Sequence, residues 1–202
     1  MATFGVSLIF SKKLYSSLYI ITMRITLLFA LLITHCLVQA GTLTGRVVRI
    51  SEGDTLVVLD ANNSQHKIRL TGIDAPEKGQ AFSTKSKEHL SDSVAGRFVV
   101  VEYDKRDRYQ RILGKVLLSD QDMNLEQVKA GLAWHYKKYQ DEQTTADRVK
   151  YSDAEREARM AKRGLWHDAN PMPPWDYRKG ESKQKKAMEP FIIGPESTDK
   201  RY

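Results

Sequence analysis

The stretch from Ile68 to Glu77, Ile-Arg-Leu-Thr-Gly-Ile-Asp-Ala-Pro-Glu, constrains this chain more than any other. An apolar run that reads as a strand stops at Gly72, and Pro76 then stiffens a loop carrying Asp74 and Glu77, with Arg69 just upstream. Charged residues bunched where a strand ends mark a site rather than a core segment. Asp54, in the Gly53-Asp54-Thr55 turn, adds a third carboxylate from a neighbouring strand, so the donors are hard oxygens of the kind Ca²⁺ accepts. The arginine beside them points to a phosphate.

Strand signals surround this stretch. Leu43 to Ile50 and Thr55 to Leu59 are rich in Val, Ile, Leu and Thr, and Ser51-Glu52-Gly53-Asp54 between them is turn chemistry, which predicts a hairpin. Gln65 to Leu70 alternates polar with apolar as a third strand, and Phe98 to Tyr103 and Arg111 to Leu118 make a fourth and a fifth. Helices are predicted over Gln80 to Val94, Asn124 to Ala130 and Tyr151 to Arg163, the last two stopped by Gly131 and Gly164. Trp166 and the Pro171 to Trp175 segment are expected to pack the domain closed. The order of elements is compatible with an α+β fold, a five-stranded Greek-key β-barrel of the OB type with three α-helices.

With 202 residues, 41% of them hydrophobic, one enzyme-sized domain with flanking segments is expected. The formal charge of +7 overstates its basic character. Residues 1–40 hold Lys12, Lys13 and Arg24 and no acid, and without those three the 32 Lys+Arg fall to 29 against 25 Asp+Glu. A polyanion partner must therefore be argued from local clusters. From Met23 the chain reads as a secretory signal peptide, with Met-Arg, an apolar run to Val38, and Val-Gln-Ala before Gly41. This predicts export to the periplasm or beyond the cell, cleavage after Ala40 and Met23 as the true start. No mature membrane anchor is then expected, an uncut leader being the alternative. Cys36, the only cysteine, lies in this leader, so neither a disulfide nor a cysteine metal site is available. The domain is assigned to residues 41–178, and residues 179–202, polar and aperiodic, to a disordered tail.

Three motifs in register, Gly53-Asp54-Thr55, then Arg69 through Glu77, then Asp107-Arg108-Tyr109-Gln110-Arg111, closely resemble the staphylococcal nuclease (thermonuclease) family. The similarity runs from about Leu43 to Trp175 and takes in Gly131-Leu132-Ala133-Trp134 and Gly164-Leu165-Trp166. The resemblance implies a Ca²⁺-dependent phosphodiesterase acting on DNA and RNA with little sequence preference. It makes Asp54 and Asp74 metal ligands, with the backbone carbonyl of Ala75 as a third. It places Glu77 as general base and Arg69 and Arg111 on the phosphate. Two departures stand out: Ala75 falls where the best-known member has threonine, and Gln110 where the family usually has glycine.

Arg108 and Tyr109 are candidates for holding the substrate, as are Tyr136 and Tyr139, for which base stacking and core packing are both open. His66, His89, His135 and His167 lack metal-ligand spacing and read as surface or packing residues. The rival class is a non-catalytic OB module that binds nucleic acid, but such a module has no need for Asp54, Arg69, Asp74, Glu77 and Arg111 together. No stable protein partner is implied, and a monomer is expected.

Overall fold

The structure, a computed structural model, describes residues 22–24 and 41–180. The chain divides into two units, Met1–Gln39 and Ala40–Tyr202. Of the first, only 22–24 are described, as helix, so the expected leader lies almost wholly outside the described residues. Among the described residues no helix is long and apolar enough to cross a membrane.

The second unit is built on five long strands, β1 (Gly41–Glu52), β2 (Thr55–Leu59), β3 (Gln65–Leu70), β5 (Phe98–Arg106) and β6 (Ile112–Leu118). They pair in the order β3-β2-β1-β5-β6, and a parallel β3–β6 ladder returns the last to the first, closing a barrel. Closure removes the exposed strand edges that an open sheet would present. The register of β1 against β2 shifts between Val47 and Arg49 and again between Ile50 and Glu52. Such bulges bend a strand and let one long segment serve both halves of a small barrel. The alternation read in Gln65–Leu70 survives intact: Ile68 and Leu70 face the core while Gln65 and Lys67 face solvent.

Three two-residue strands carry no periodic signal: β4 (Ile73–Asp74), β7 (Gln121–Asp122) and β8 (Trp134–His135), of which β4 and β8 pair with each other. Helix α1 (Ser83–Val94) buries Ser86, Leu90 and Val94, spaced four apart along one face. Helix α2 (Met123–Lys129) is capped by Asp122, whose side chain accepts from the Leu125 N–H at 3.0 Å.

Helix α3 (Thr145–Met160) begins six residues before the predicted Tyr151, because Thr144 caps it by accepting from the Asp147 N–H at 3.1 Å. It also ends earlier than predicted, with Lys162 at φ 50° and Gly164 at φ 51° turning the chain away. Residues 174–180 form α4, the last helix among the described residues, which takes in Lys179 and Gly180. The rest of the predicted tail lies outside the described residues.

The barrel interior is one apolar cluster that takes in Leu90 and Val94 of α1 and Val128 of α2. A smaller cluster of Trp134, Ala158, Leu165 and Trp166, with Phe82 and Trp175 packed on it, seals the C-terminal segment. Trp134 meets Trp166 and Trp175 edge-on at 4.4 and 5.5 Å, a geometry aromatic pairs favour.

Candidate active site

The β1–β2 turn can lie against α1 only because residue 53 is glycine: a Cβ there would come within 1.8 Å of Ser86 Oγ. The buried side chain of Gln127 fixes the turn from behind, its amide donating to the carbonyls of Gly53 at 2.5 Å and Ser86 at 3.0 Å. The adjoining Asp54 is only 3% exposed. Its Oδ1 accepts from the Thr55 hydroxyl at 2.9 Å and its Oδ2 from the Ala75 N–H at 2.6 Å. That second bond ties the turn to the Asp74 loop across 21 residues of sequence.

Asp74 is wholly buried on β4, directly opposite Trp134 of β8. A buried carboxylate needs a partner. Arg69 supplies one to both aspartates, with Nη1 2.5 Å from Asp54 Oδ2 and Nη2 donating to Asp74 Oδ1 at 2.7 Å. One planar fork thus bridges two segments, a task for which the guanidinium geometry is suited.

Arg178, on α4, was missed in the sequence. Its Nη2 donates to Asp74 Oδ2 at 2.8 Å, and its Nη1 reaches both Asp74 Oδ1, at 3.2 Å, and Glu77 Oε1. The only hint in sequence was its place just after the aromatic, proline-bearing segment expected to close the domain. The Glu77 end of the loop is held by Gln80, which accepts from the Glu77 N–H at 3.0 Å and donates to the Met172 carbonyl at 2.6 Å.

The electrostatics follow from this geometry. Burial pushes the Glu77 carboxyl above its ordinary range, and the nearby Arg178 only partly offsets it. Burial pulls the Arg69 and Arg178 guanidiniums toward losing their protons, but the carboxylates around them win and hold both more firmly charged than usual. Three carboxylates face two guanidiniums. The donors from Asp54, Asp74 and the Ala75 carbonyl are all oxygen, and the cluster retains an excess of negative charge. Both properties fit a hard divalent cation. The set has two carboxylates; among the described residues no group of three or more His, Cys, Asp or Glu is placed to hold a metal ion.

Arg111 stands apart from this cluster. Its Nε donates to Asp107 Oδ2 at 2.7 Å and its backbone N–H to Asp107 Oδ1 at 3.0 Å, so it has a partner in its own loop. It directly precedes β6, whose first residues pair with β3, with Ile112 opposite Ile68 and Leu113 opposite Arg69, so the loop leads into the strand beside Arg69. Gln110 sits at φ 62°, the left-handed region that glycine adopts freely. The loop therefore follows the path a glycine would give it.

Arg108 and Tyr109 form an exposed pair, with Nη2 donating to the Tyr109 hydroxyl at 2.7 Å and the ring 64% exposed. Tyr136 is tied to the loop by its N–H, which donates to the Gly72 carbonyl at 2.9 Å, while its ring stacks on Trp175 at 5.3 Å. Tyr139 meets the Tyr136 ring edge-on at 5.2 Å and is 45% exposed. Three of the histidines have structural partners, His66 with Asp60, His89 with Gln127 and His135 with Gln143.

The fold and site together define a closed OB-type barrel that carries arginine-bridged, buried carboxylates at one end of its β3 strand. The family model described as staphylococcal nuclease homologue matches residues 67–168. A protein named uncharacterized endonuclease from Haemophilus influenzae is 46% identical over 138 residues, covering 68% of this chain and 74% of its own. Another of that name from Escherichia coli is 44% identical over 143 residues, 70% of this chain and 88% of its own. The micrococcal nuclease of Shigella flexneri is 39% identical over 144 residues, 67% and 80% of the two chains. The chain belongs to the staphylococcal nuclease family.

Proposed function

We propose that this protein is an exported, Ca²⁺-dependent endonuclease that hydrolyses phosphodiester bonds of DNA and RNA with little sequence preference. The observation that carries the reading is the convergence of Asp54, Arg69 and Asp74 into one charged cluster that Arg178 extends to the partly exposed Glu77. The nuclease names of the relatives support the same reading.

Asp54, Asp74 and the Ala75 carbonyl are the oxygens that would hold Ca²⁺, which when bound would supply positive charge to offset the negative charge developing on the phosphate. Arg69, fixed by two buried aspartates, presents its guanidinium in a set orientation, so little reorganisation is needed as charge builds up. Arg111 gives the second fork once it turns from Asp107. Glu77, with its carboxyl pushed up by burial, takes the proton of the attacking water. Its pairing with Arg178 has to loosen for that step, since a carboxylate bound by a guanidinium is a weaker base. No serine, cysteine or histidine is assigned as a covalent nucleophile, so water attacks directly.

The test is hydrolysis of single-stranded DNA by the full chain with Ca²⁺, then with Mg²⁺, then with a Ca²⁺-selective chelator. Turnover only with Ca²⁺ is expected. Full activity in chelator, or equal rates with both cations, would refute the metal assignment. Export is tested separately by N-terminal sequencing of secreted material, which should begin at Gly41.

A further inference from the structure

Arg178 meets the carboxylate cluster as a cation would. Its Nη1 and Nη2 donate to Asp74 Oδ1 and Oδ2, at 3.2 and 2.8 Å, and Nη1 also contacts Glu77 Oε1. Arg69 adds a donation to Asp74 Oδ1 at 2.7 Å. Three of the roughly four lone-pair sites of this carboxylate are thus taken, two of them by Arg178. Asp74 is wholly buried beneath these contacts.

The charges give the same result. Asp54, Asp74 and Glu77 bring three negative charges against two positive ones on Arg69 and Arg178, a net −1. Take Arg178 away and the net is −2, the complement of a divalent cation. With Arg178 in place, a guanidinium and a dication would share one carboxylate, where like charges repel.

Arg178 is also delivered by a separate piece of chain. α4 follows Pro171, Met172 and Pro173, beyond residues 67–168 that match the family model. It is seated by Trp175, which stacks on Tyr136 at 5.3 Å, and by the Met172 carbonyl, which accepts from the Gln80 amide at 2.6 Å. The two arginines differ in freedom. Arg69 is held by both aspartates with its side chain 16% exposed, whereas that of Arg178 is 39% exposed.

We propose that Arg178 is a built-in competitor for the divalent cation: it caps Asp74 and Glu77 in the cation-free protein and swings out to solvent as the cation binds. The proposal rests on the metal assignment made for this site. Loading of the cation and release of Glu77 are then one event, so the base is unpaired only where the cation is in place.

The experiment is calorimetric titration of the full chain with Ca²⁺, without nucleic acid, for wild type, Arg178→Gln, Arg178→Lys and Lys179→Gln. Wild-type affinity is reduced by the fraction of molecules in which Arg178 has withdrawn, so Arg178→Gln should bind about tenfold more tightly if about one molecule in ten is open. Arg178→Lys keeps the charge and loses the fork; it should tighten binding about threefold, and it carries the test if the glutamine variant does not fold. Lys179→Gln removes the same unit charge one residue further along α4, from a surface pair with Asp176, and should change affinity less than about twofold. Thermal unfolding gives a second reading, since a given Ca²⁺ concentration should raise Tm more in Arg178→Gln than in wild type. Equal or weaker Ca²⁺ binding by both Arg178 variants, or an equal gain from Lys179→Gln, would overturn the proposal and leave the metal assignment standing. Binding of no Ca²⁺ by any of the four proteins would overturn both. Tighter binding by Arg178→Gln, with no cleavage of single-stranded DNA by it or by wild type, would keep the competitor and remove the nuclease reading.

Discussion

Replacing Asn124 by leucine tests how the barrel holds its site. Asn124 is wholly buried at the start of α2. Its side chain accepts from the Val116 N–H at 3.1 Å and donates to the carbonyls of Thr71 at 3.0 Å and Gly114 at 3.1 Å. Thr71 is where β3 gives way to the carboxylate loop, so this one amide pins the loop to β6 and α2. Leucine has nearly the same size and no polar atoms. The Gly114 carbonyl keeps a partner, since it also accepts from the Thr71 N–H at 3.0 Å. Val116 N–H and Thr71 C=O do not. The buried Val116 N–H left unpaired costs about 1–3 kcal/mol, and the part-buried Thr71 C=O, which water can reach, adds about 1 kcal/mol or less, roughly 2–4 kcal/mol together. That is a large part of the 5–15 kcal/mol typical of a domain. For a domain of this size about 4 °C accompanies each kcal/mol, so Tm should fall by roughly 8–16 °C. Urea unfolding followed by tryptophan fluorescence, with calorimetry alongside, gives both numbers. Asn62→Ala, at an exposed turn, serves as the control and should stay within about 0.5 kcal/mol. A loss below about 1 kcal/mol at unchanged m-value would show that the two groups find other partners, and the argument would fail.

Three further perturbations follow from the geometry. Gln110→Gly should stabilise the fold by about 0.5–1 kcal/mol, the left-handed cost at φ 62° less the added freedom of the unfolded chain, and a lower Tm would refute it. Arg111→Lys should cut kcat on single-stranded DNA on the order of a thousandfold, by losing the fork, whereas Arg108→Lys should alter KM and its salt dependence; a retained kcat in Arg111→Lys would move the second clamp to Arg106 or Arg108. Burial pulls the His135 imidazole below its ordinary range, outweighing the Gln143 hydrogen bond and the nearby Glu155, so its stabilising effect is complete above about pH 6.5 and fades as pH falls through the lowered folded value. The Tm advantage of wild type over His135→Gln should therefore shrink between pH 7.5 and 5, and a constant difference would contradict it.

The parts of this molecule that could be read from sequence are those whose cause is local. The β2–β3 and β5–β6 strands announce themselves by alternation and turn residues, and the Gly53–Thr55 and Arg69–Glu77 motifs by dense charge beside glycine and proline. The start of α3 was legible as well, since Thr144 and Asp147 have capping-box spacing, but the apolar positions pulled the predicted start to Tyr151. Gln127, Asn124 and Arg178 were not legible. Each is a polar residue whose role depends on partners 8 to 104 residues away, such as Val116, Gly53, Thr71 or Asp74, and nothing near it in sequence names those partners. The β4–β8 pair escaped for a related reason, because two residues are too few for any period to show.

The two departures from the family pattern illustrate where sequence identity matters and where it does not. Ala75 lacks the hydroxyl of threonine, yet what links it to the site here is its backbone N–H, bonded to Asp54, which any residue but proline supplies. Gln110 replaces a glycine, yet takes the glycine conformation, and the turn is held by the Gln110 N–H donating to the Asp107 carbonyl at 3.0 Å and the Asp107 N–H donating to Arg111 at 2.9 Å. In both places the backbone carries the geometry and the side chain is incidental to it. Asp54, Arg69 and Asp74 are the opposite case. Their carboxylate and guanidinium groups are packed against one another, so removing Arg69 leaves the buried Asp54 without its guanidinium, and removing either aspartate takes from Arg69 one of its two carboxylates. These are the positions where a substitution cannot be absorbed by the chain path.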